Sequence, residues 1–269
     1  MRIQVRCPAK VNLFLAVGPA DGRGYHPLRT LFQAVELCDI LIIDDEAVET
    51  KITCSWDGLP ADNTLTKTLR LLSEVLILPP LAIHLEKHIP AQSGLGGGSS
   101  DAAGLLRGLQ KMGFGLSSAQ AMDVAAAVGS DVPFFLVGGL AKGEGYGEKL
   151  TPLPNPPEQW LVLAQPEARC STVEAYSRLD AEPYPWLEFP ADDTLYNDFE
   201  RVAPQDCIDL IAKLKKEGAI GAALSGSGSA VFGKFESKQT AETALKTLPP
   251  IDCWLVRTLD RAESLAVGL

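Results

Sequence analysis

Residues 90 to 104 read P-A-Q-S-G-L-G-G-G-S-S-D-A-A-G, a glycine-dense loop opening onto a helical pattern, and that arrangement suits the holding of a phosphate. From Gly94 to Gly98 four of five residues are glycine, so the main chain can take positive φ and lie against a ligand with no Cβ in the way. Ser99 and Ser100 suit the N-cap of a helix whose apolar stripe is Ala102, Leu105, Leu106, Leu109 and Met112. The start of such a helix carries about half a positive charge and unpaired N–H donors, both of which favour an anion. A Walker A loop ends in Gly-Lys-Ser/Thr, whereas here Ser100 is followed by Asp101 and the next lysine is Lys111. A dinucleotide fingerprint fails as well, because its sixth position, counted from Gly94, holds Ser99. A flexible turn ahead of a helix is the plainer alternative, and the paired serines favour the phosphate site over it.

If residues 9 to 17 form a strand, period two puts Lys10, Asn12 and Phe14 on one face and Val11, Leu13 and Leu15 on the other. Lys10 and Asn12 then stand roughly 6.6 Å apart along the strand, a spacing that grips one small polar group, although a half-exposed strand gives the same alternation. After Gly129 the chain reads S-D-V-P-F-F, which sets Asp131 just past a helix end and beside an apolar run. Burying a lone carboxylate is costly, so Asp131 is paired or functional, with a turn residue before Pro133 as the equal alternative. Beside a lysine it could accept the proton of an attacking hydroxyl. His84, Glu86 and His88 alternate along one strand face and suggest a metal. Residues four apart on a strand are separated by about 13 Å, however, and zinc draws its nitrogens to about 2.1 Å, so a solvated face is favoured.

Alternation predicts the positioning strands near residues 2 to 6, 9 to 17, 28 to 37, 39 to 44, 50 to 55 and 82 to 89. Asp62 or Asn63 caps a predicted helix carrying Leu65, Leu69, Leu72 and Leu76, and the phosphate-loop helix runs to about Gly113. Ser117 and Gln120 form a capping-box pair for a third helix, which Gly129 ends. The Pro-rich passage T-P-L-P-N-P-P at 151 to 157 marks a domain boundary. Beyond it the pattern predicts strands at 160 to 165, 219 to 224, 230 to 235 and 252 to 258, with helices at 172 to 179, 206 to 217 and 237 to 248. The order is α+β. S-G-S-G-S at 225 to 229 joins two of those strands as a hairpin loop, and the acidic, aromatic stretch from 182 to 193 carries no motif.

Against 34 Asp+Glu the 269 residues hold 24 Lys+Arg, a net charge of −10, so no broad positive field exists to gather nucleic acid or an anionic membrane. An anionic ligand must be held locally. Six scattered cysteines with no C-x-x-C spacing suit reduced thiols in a cytoplasmic protein. The N-terminal apolar run is broken by Asn12 and lacks a small-x-small cleavage site, so it does not read as a signal peptide, and no run of about 18 apolar residues predicts a membrane span.

P-A-K-V-N-L at 8 to 13, the glycine loop at 94 to 101, G-S-D-V-P-F-F at 129 to 135 and L-S-G-S-G-S at 224 to 229 together resemble the GHMP small-molecule kinases along essentially the whole chain. G-Y-H at 24 to 26, followed by L-R-T-L-F-Q at 28 to 33, narrows the resemblance to those members that phosphorylate a cytidylylated methylerythritol in the non-mevalonate isoprenoid pathway. The resemblance implies a two-domain α+β GHMP kinase fold. Residues 1–152 would form a ribosomal-protein-S5-like ATP-binding domain and residues 153–269 a ferredoxin-like α/β sandwich, with ATP and substrate in the cleft between them.

It further implies transfer of the γ-phosphoryl group of ATP, with Mg²⁺, to the 2-hydroxyl of a small-molecule acceptor. Asp131 would be the catalytic carboxylate and Lys10 its companion, with Asn12 positioning the erythritol portion. Tyr25 would stack on the cytosine, His26 would hydrogen-bond it, and Tyr176, placed after Ser171 and Thr172, would be the second aromatic wall. Pro90, Ala91, Gln92, Ser93, Gly94, Leu95, Gly96, Gly97, Gly98, Ser99 and Ser100 would cradle the ATP phosphates. The metal's ligands stay unassigned: Asp101 is the nearest carboxylate, and an acid in a helix's first turn is favourable with no metal present. A GHMP kinase acting on mevalonate, homoserine or a sugar is the nearer rival; a non-catalytic nucleotide sensor is the other, against which Lys10 and Asp131 argue.

Overall fold

The computed structural model describes residues 1–169, 171–181 and 184–268. Two long strands, β1 (Arg2–Val17) and β2 (Leu28–Asp44), form an antiparallel hairpin on which everything else is hung. Both were expected as two shorter strands. Each instead runs through, and the expected breaks survive as a register shift between Pro8 and Ala9, where Pro8 pairs with Cys38 and Ala9 with Val35. A proline that cannot donate to the ladder is accommodated by such an irregularity, which keeps the strand continuous.

The order continues β3 (Lys51–Cys54), α1 (Thr64–Leu72), β4 (Ala82–Glu86), α2 (Gly97–Met112), α3 (Ser118–Val128), α4 (Phe134–Val137), β5 (Leu140–Glu144) and β6 (Lys149–Pro152). Then follow β7 (Trp160–Gln165), α5 (Thr172–Asp180), β8 (Tyr196–Asn197), a 3₁₀ turn (Asp198–Arg201), α6 (Gln205–Lys216), β9 (Gly221–Leu224), β10 (Val231–Phe235), α7 (Lys238–Leu245), β11 (Asp252–Arg257), α8 (Arg261–Ser264) and β12 (Val267–Gly268). The first sheet runs β12-β1-β2-β4-β3, with β5 and β6 extending from β2 and β8 laid parallel on β1. The second is antiparallel, β11-β7-β10-β9. The short α8, β8 and β12 carry no periodic signal and escape sequence reading. Thr151 and Pro152 of the Pro-rich passage belong to edge strand β6, where a missing N–H is tolerated.

Local chemistry explains the helices that matter for the site. Asn63 caps α1 by accepting from the N–H groups of Leu65 and Thr66, and turns Leu65, Thr68 and Leu72 inward. The helix ends at Leu72, so Leu76 packs on the core from beyond it. Ser117 and Gln120 close the predicted capping box on α3, and Gly129 follows its end. Along α2 almost every residue to Leu109 is buried, and Gly104 lies so close to β1 that an added Cβ would sit 2.3 Å from Cys7 Sγ. That contact sets the helix's distance from the sheet. One apolar core joins α1, α2 and α3 to the first sheet, and a second joins α5, α6 and α7 to the other. Between them Ala9, Val11 and Val35 pack on Leu161, Leu163, Ala223 and Phe232, so β1 serves all three clusters.

Candidate active site

Where β1, the start of α2, the α3–α4 connection and the β9–β10 hairpin converge there is a cleft of about 650 Å³. Its floor is the glycine loop. Gln92, Gly94 and Gly96 all have positive φ, at 56°, 82° and 74°, which curls the chain before the helix begins. Gly96 is the N-cap, and no side chain caps α2. The expectation that Ser99 and Ser100 cap it is therefore corrected: both lie inside the first turn, because a left-handed Gly96 starts the helix three residues earlier than a Ser99 cap would. Ser100 N–H bonds the Gly96 carbonyl at 2.9 Å, which leaves the N–H groups of Gly97, Gly98 and Ser99 with no carbonyl to bond within the helix. These donors and the helix dipole point at the cleft, as an anion needs.

Of the residues expected at the phosphates, Pro90, Ala91, Gln92, Ser93, Gly94, Gly96, Gly97, Gly98 and Ser99 line the cleft. Leu95 and Ser100 do not. Leu95 is buried in the core and offers its carbonyl to Lys10 N–H, while the Ser100 hydroxyl is enclosed with no hydrogen-bond partner among the described residues. The 225–228 hairpin loop closes over the glycines: Ser225 donates to the Gly94 carbonyl at 3.0 Å, and a Cβ on Gly94 would stand 2.1 Å from the Ser225 carbonyl oxygen. A hairpin expected only to turn the chain is thus a wall of the cleft.

Lys10 and Asn12 face this cleft from β1 and are buried, which sets aside the half-exposed strand. Lys10 Nζ lies 3.5 Å from Asp131 Oδ2 and donates to Asn12 Oδ1 at 2.7 Å. Asn12 also accepts from Gly226 N–H at 2.9 Å and donates to Thr30 at 2.8 Å, so three backbone elements fix its amide. Burial pushes the Lys10 pKa down, and the facing Asp131 carboxylate opposes that shift. Asp131 itself is 31% exposed, free on one side to meet a second molecule. Phe14, expected on the face of Lys10 and Asn12, is not in the cleft. The register shift between Asn12 and Phe14 brings Leu15 there instead and leaves Phe14 against Phe189 and Tyr196.

Of the residues expected at the acceptor, Tyr176 lines the cleft, stacked on His26 at 4.8 Å and meeting Phe199 edge-on at 5.0 Å. His26 is buried, with Nδ1 2.9 Å from the Gly18 carbonyl and Nε2 3.4 Å from Asp180. Tyr25 stands 62% exposed beside the cleft, 5.7 Å from the ring of Tyr146. Tyr146, Thr64, Ser130, Thr172 and Ser227 line the cleft with no expectation attached to them. Only Tyr146 left a local signal, its place between Gly145 and Gly147 in a turn.

Asp101 points away from the cleft. It lies 3.1 Å from Lys87 Nζ, which also bonds Asp39, and its Oδ1 is enclosed without a partner among the described residues. Burial first, and Asp39 beyond it, raise its pKa. His84 and His88 bond separate partners, Thr53 and the Cys38 carbonyl. A second cavity of about 550 Å³ near Arg107 and Lys111 holds none of these groups.

Residues 63–139 match the GHMP kinases N terminal domain and residues 202–250 the GHMP kinases C terminal domain. Over 94% of its length the chain is 36% identical to 4-diphosphocytidyl-2-C-methyl-D-erythritol kinases of Geobacter metallireducens and Pelobacter propionicus, covering 96% of each. A crystal structure of 4-(cytidine 5'-diphospho)-2C-methyl-D-erythritol kinase superposes with a TM-score of 0.81 at 30% identity, over 95% of this chain and 98% of that one. Homoserine kinase of Cytophaga hutchinsonii, at 20% identity over 98% of this chain and 96% of its own, shares the fold with a TM-score of 0.71. Given the converging loop, lysine and carboxylate, and relatives that match nearly end to end, the chain belongs to the 4-diphosphocytidyl-2-C-methyl-D-erythritol kinase family of GHMP kinases.

Proposed function

We propose that the chain transfers the γ-phosphoryl group of ATP to the 2-hydroxyl of 4-diphosphocytidyl-2-C-methyl-D-erythritol, with Lys10 and Asp131 at the reacting oxygen. The observation that carries the assignment is the Lys10–Asp131 pair, 3.5 Å apart, in the same cleft as the N-terminus of α2. Phosphoryl transfer passes through a loose transition state, so alignment and neutralisation of charge matter more than a fully formed alkoxide. Asp131 orients the hydroxyl and accepts its proton late; Lys10 supplies a fixed positive charge beside it. Asn12, with its amide held on three sides, sets where that charge sits. The free N–H groups at Gly97, Gly98 and Ser99 meet charge on the ATP phosphates.

Mg²⁺ neutralises phosphate charge when bound with the nucleotide. The described residues contain no cluster of three or more His, Cys, Asp or Glu able to hold an ion, and Asp101 is engaged by Lys87. That donor set fits an ion carried mainly by phosphate oxygens and water, with Asp131 as the available protein carboxylate. Tyr25, His26 and Tyr176 form the acceptor's aromatic end, where base stacking contributes roughly 1 to 3 kcal/mol. The proposed division at residues 152 and 153 is supported by the passage from β6 into β7 in the second sheet, though β8 and β12 return to β1.

ADP release by the purified protein, with ATP, Mg²⁺ and a panel of alcohols, tests the assignment. Turnover is expected with the cytidylylated methylerythritol and not with mevalonate or homoserine. Equal turnover with either of those, or none with any acceptor, overturns it.

A further inference from the structure

The loop that carries Tyr25 is closed on itself through one carboxylate. Asp21 Oδ1 accepts from the N–H groups of Arg23 at 2.8 Å and Tyr25 at 3.0 Å, while the main chain of Asp21 bonds Tyr25 O at 2.8 Å and Gly24 N at 2.9 Å. The other oxygen, Oδ2, accepts from Tyr146 at 2.6 Å. Tyr146 comes from a different part of the chain, the turn between β5 and β6. That turn is itself anchored, since the Gly145 carbonyl accepts from Leu28 N–H at 2.7 Å and Tyr146 N–H donates to Glu148 at 2.6 Å. Arg23 completes the cluster: it bonds both Asp21 and the Tyr146 hydroxyl, and its guanidinium lies 5.9 Å and 5.5 Å from the ring centres of Tyr25 and Tyr146.

An exposed aromatic ring on the ten-residue connection between β1 and β2 has no core to orient it, and an unrestrained ring loses conformational entropy when it stacks on a ligand. We propose that Asp21 and Tyr146 act as a brace that fixes Tyr25 for the acceptor's base, and that the Tyr146 ring, which lines the cleft beside Tyr25, forms part of the same recognition surface. Tyr146 is a positioning and specificity residue for the acceptor, set apart from the phosphate chemistry at Lys10 and Asp131. The inference rests on the acceptor reading given above.

Replacing the tyrosine hydroxyl alone, as in Tyr146→Phe, removes the link to Asp21 and keeps the ring. The KM for the cytidylylated acceptor is expected to rise three- to tenfold, and the Ki of cytidine 5'-diphosphate as a competitive inhibitor to rise by the same factor, with kcat and the KM for ATP unmoved. On a Tyr25→Ala background the Tyr146→Phe effect on KM should fall below twofold, because the brace then has nothing to hold. A KM that does not change, a matching rise in the KM for ATP, a Ki that stays constant, or full additivity with Tyr25→Ala each overturns the brace. Wild-type protein that releases ADP with another acceptor and ignores the cytidylylated one overturns the acceptor reading itself, a result distinct from failure of the variant.

Discussion

In the proposed reaction Asp131 and Lys10 divide the work at the reacting oxygen, and their environments differ in the way that division needs. Lys10 is 3% exposed and Asp131 is 31% exposed, so the cation is fixed within the protein while the carboxylate keeps a face open to the cleft. Asp131→Asn preserves shape and removes the proton acceptor, and kcat is expected to fall by about 10² to 10⁴ with the KM for ATP little changed. Wild-type turnover in that variant would refute the catalytic role. The same variant makes a second, physical prediction. Burial lowers the Lys10 pKa below the ordinary lysine value of 10.5 and Asp131 opposes the shift, so its loss lets the pKa fall further. The proposed role needs Lys10 as the ammonium form, hence activity should decline as pH rises through that lowered pKa. Titration of the Lys10 ¹³Cε resonance in both proteins checks the sign; an upward shift in Asp131→Asn would contradict the placement.

At the scale of elements, the cleft depends on two loops meeting where neither is regular. Gly94 and Gly113 both have positive φ, 82° and 83°, but only Gly94 is crowded, since a Cβ there meets the Ser225 carbonyl oxygen whereas one on Gly113 meets nothing within 4 Å. Gly113→Ala should therefore cost only the left-handed penalty, about 1 to 2 kcal/mol by denaturant unfolding. Gly94→Ala should cost about 3 kcal/mol or more, or weaken ATP at least tenfold if the loop gives way instead. Equal stability of the two variants with unchanged ATP binding would mean the loops do not meet as described. Capping chemistry made α1 and α3 legible from Asn63, Ser117 and Gln120. It misled at α2, because serine is the commoner cap and nothing local announces that Gly96 takes the role in the left-handed region.

For the molecule as a whole, β1 is the shared member: Ile3 and Val5 belong to the first core, Leu15 and Val17 to the second, and Ala9 and Val11 to the layer between. Asn197, reaching β1 through β8, donates to both the Leu224 and Gly226 carbonyls at 2.8 Å and ties β1 to the hairpin wall. Two halves sharing a strand in this way should unfold together. Trp56 lies in the first half of the chain and Trp160, Trp186 and Trp254 in the second, so fluorescence of single-tryptophan variants and far-UV circular dichroism in urea should give coincident midpoints. Separated transitions would show that the halves are independently stable. The amino-acid order alone determined what local rules can carry: the α+β succession of elements, the glycine loop ahead of a helix, and Lys10, Asn12 and Asp131 as polar groups placed against apolar segments. Only the tertiary structure decided that Asn12 holds Lys10, that the 225–228 loop covers Gly94, that Leu15 displaces Phe14 from the cleft, and that Tyr146 reaches Asp21. Gly226, which fixes the Asn12 amide against Lys10, is 214 positions from Asn12, Ser225 is 131 from Gly94 and Tyr146 is 125 from Asp21, while the place of Leu15 turns on a bulge that shifts register, and neither periodicity nor propensity reaches that far.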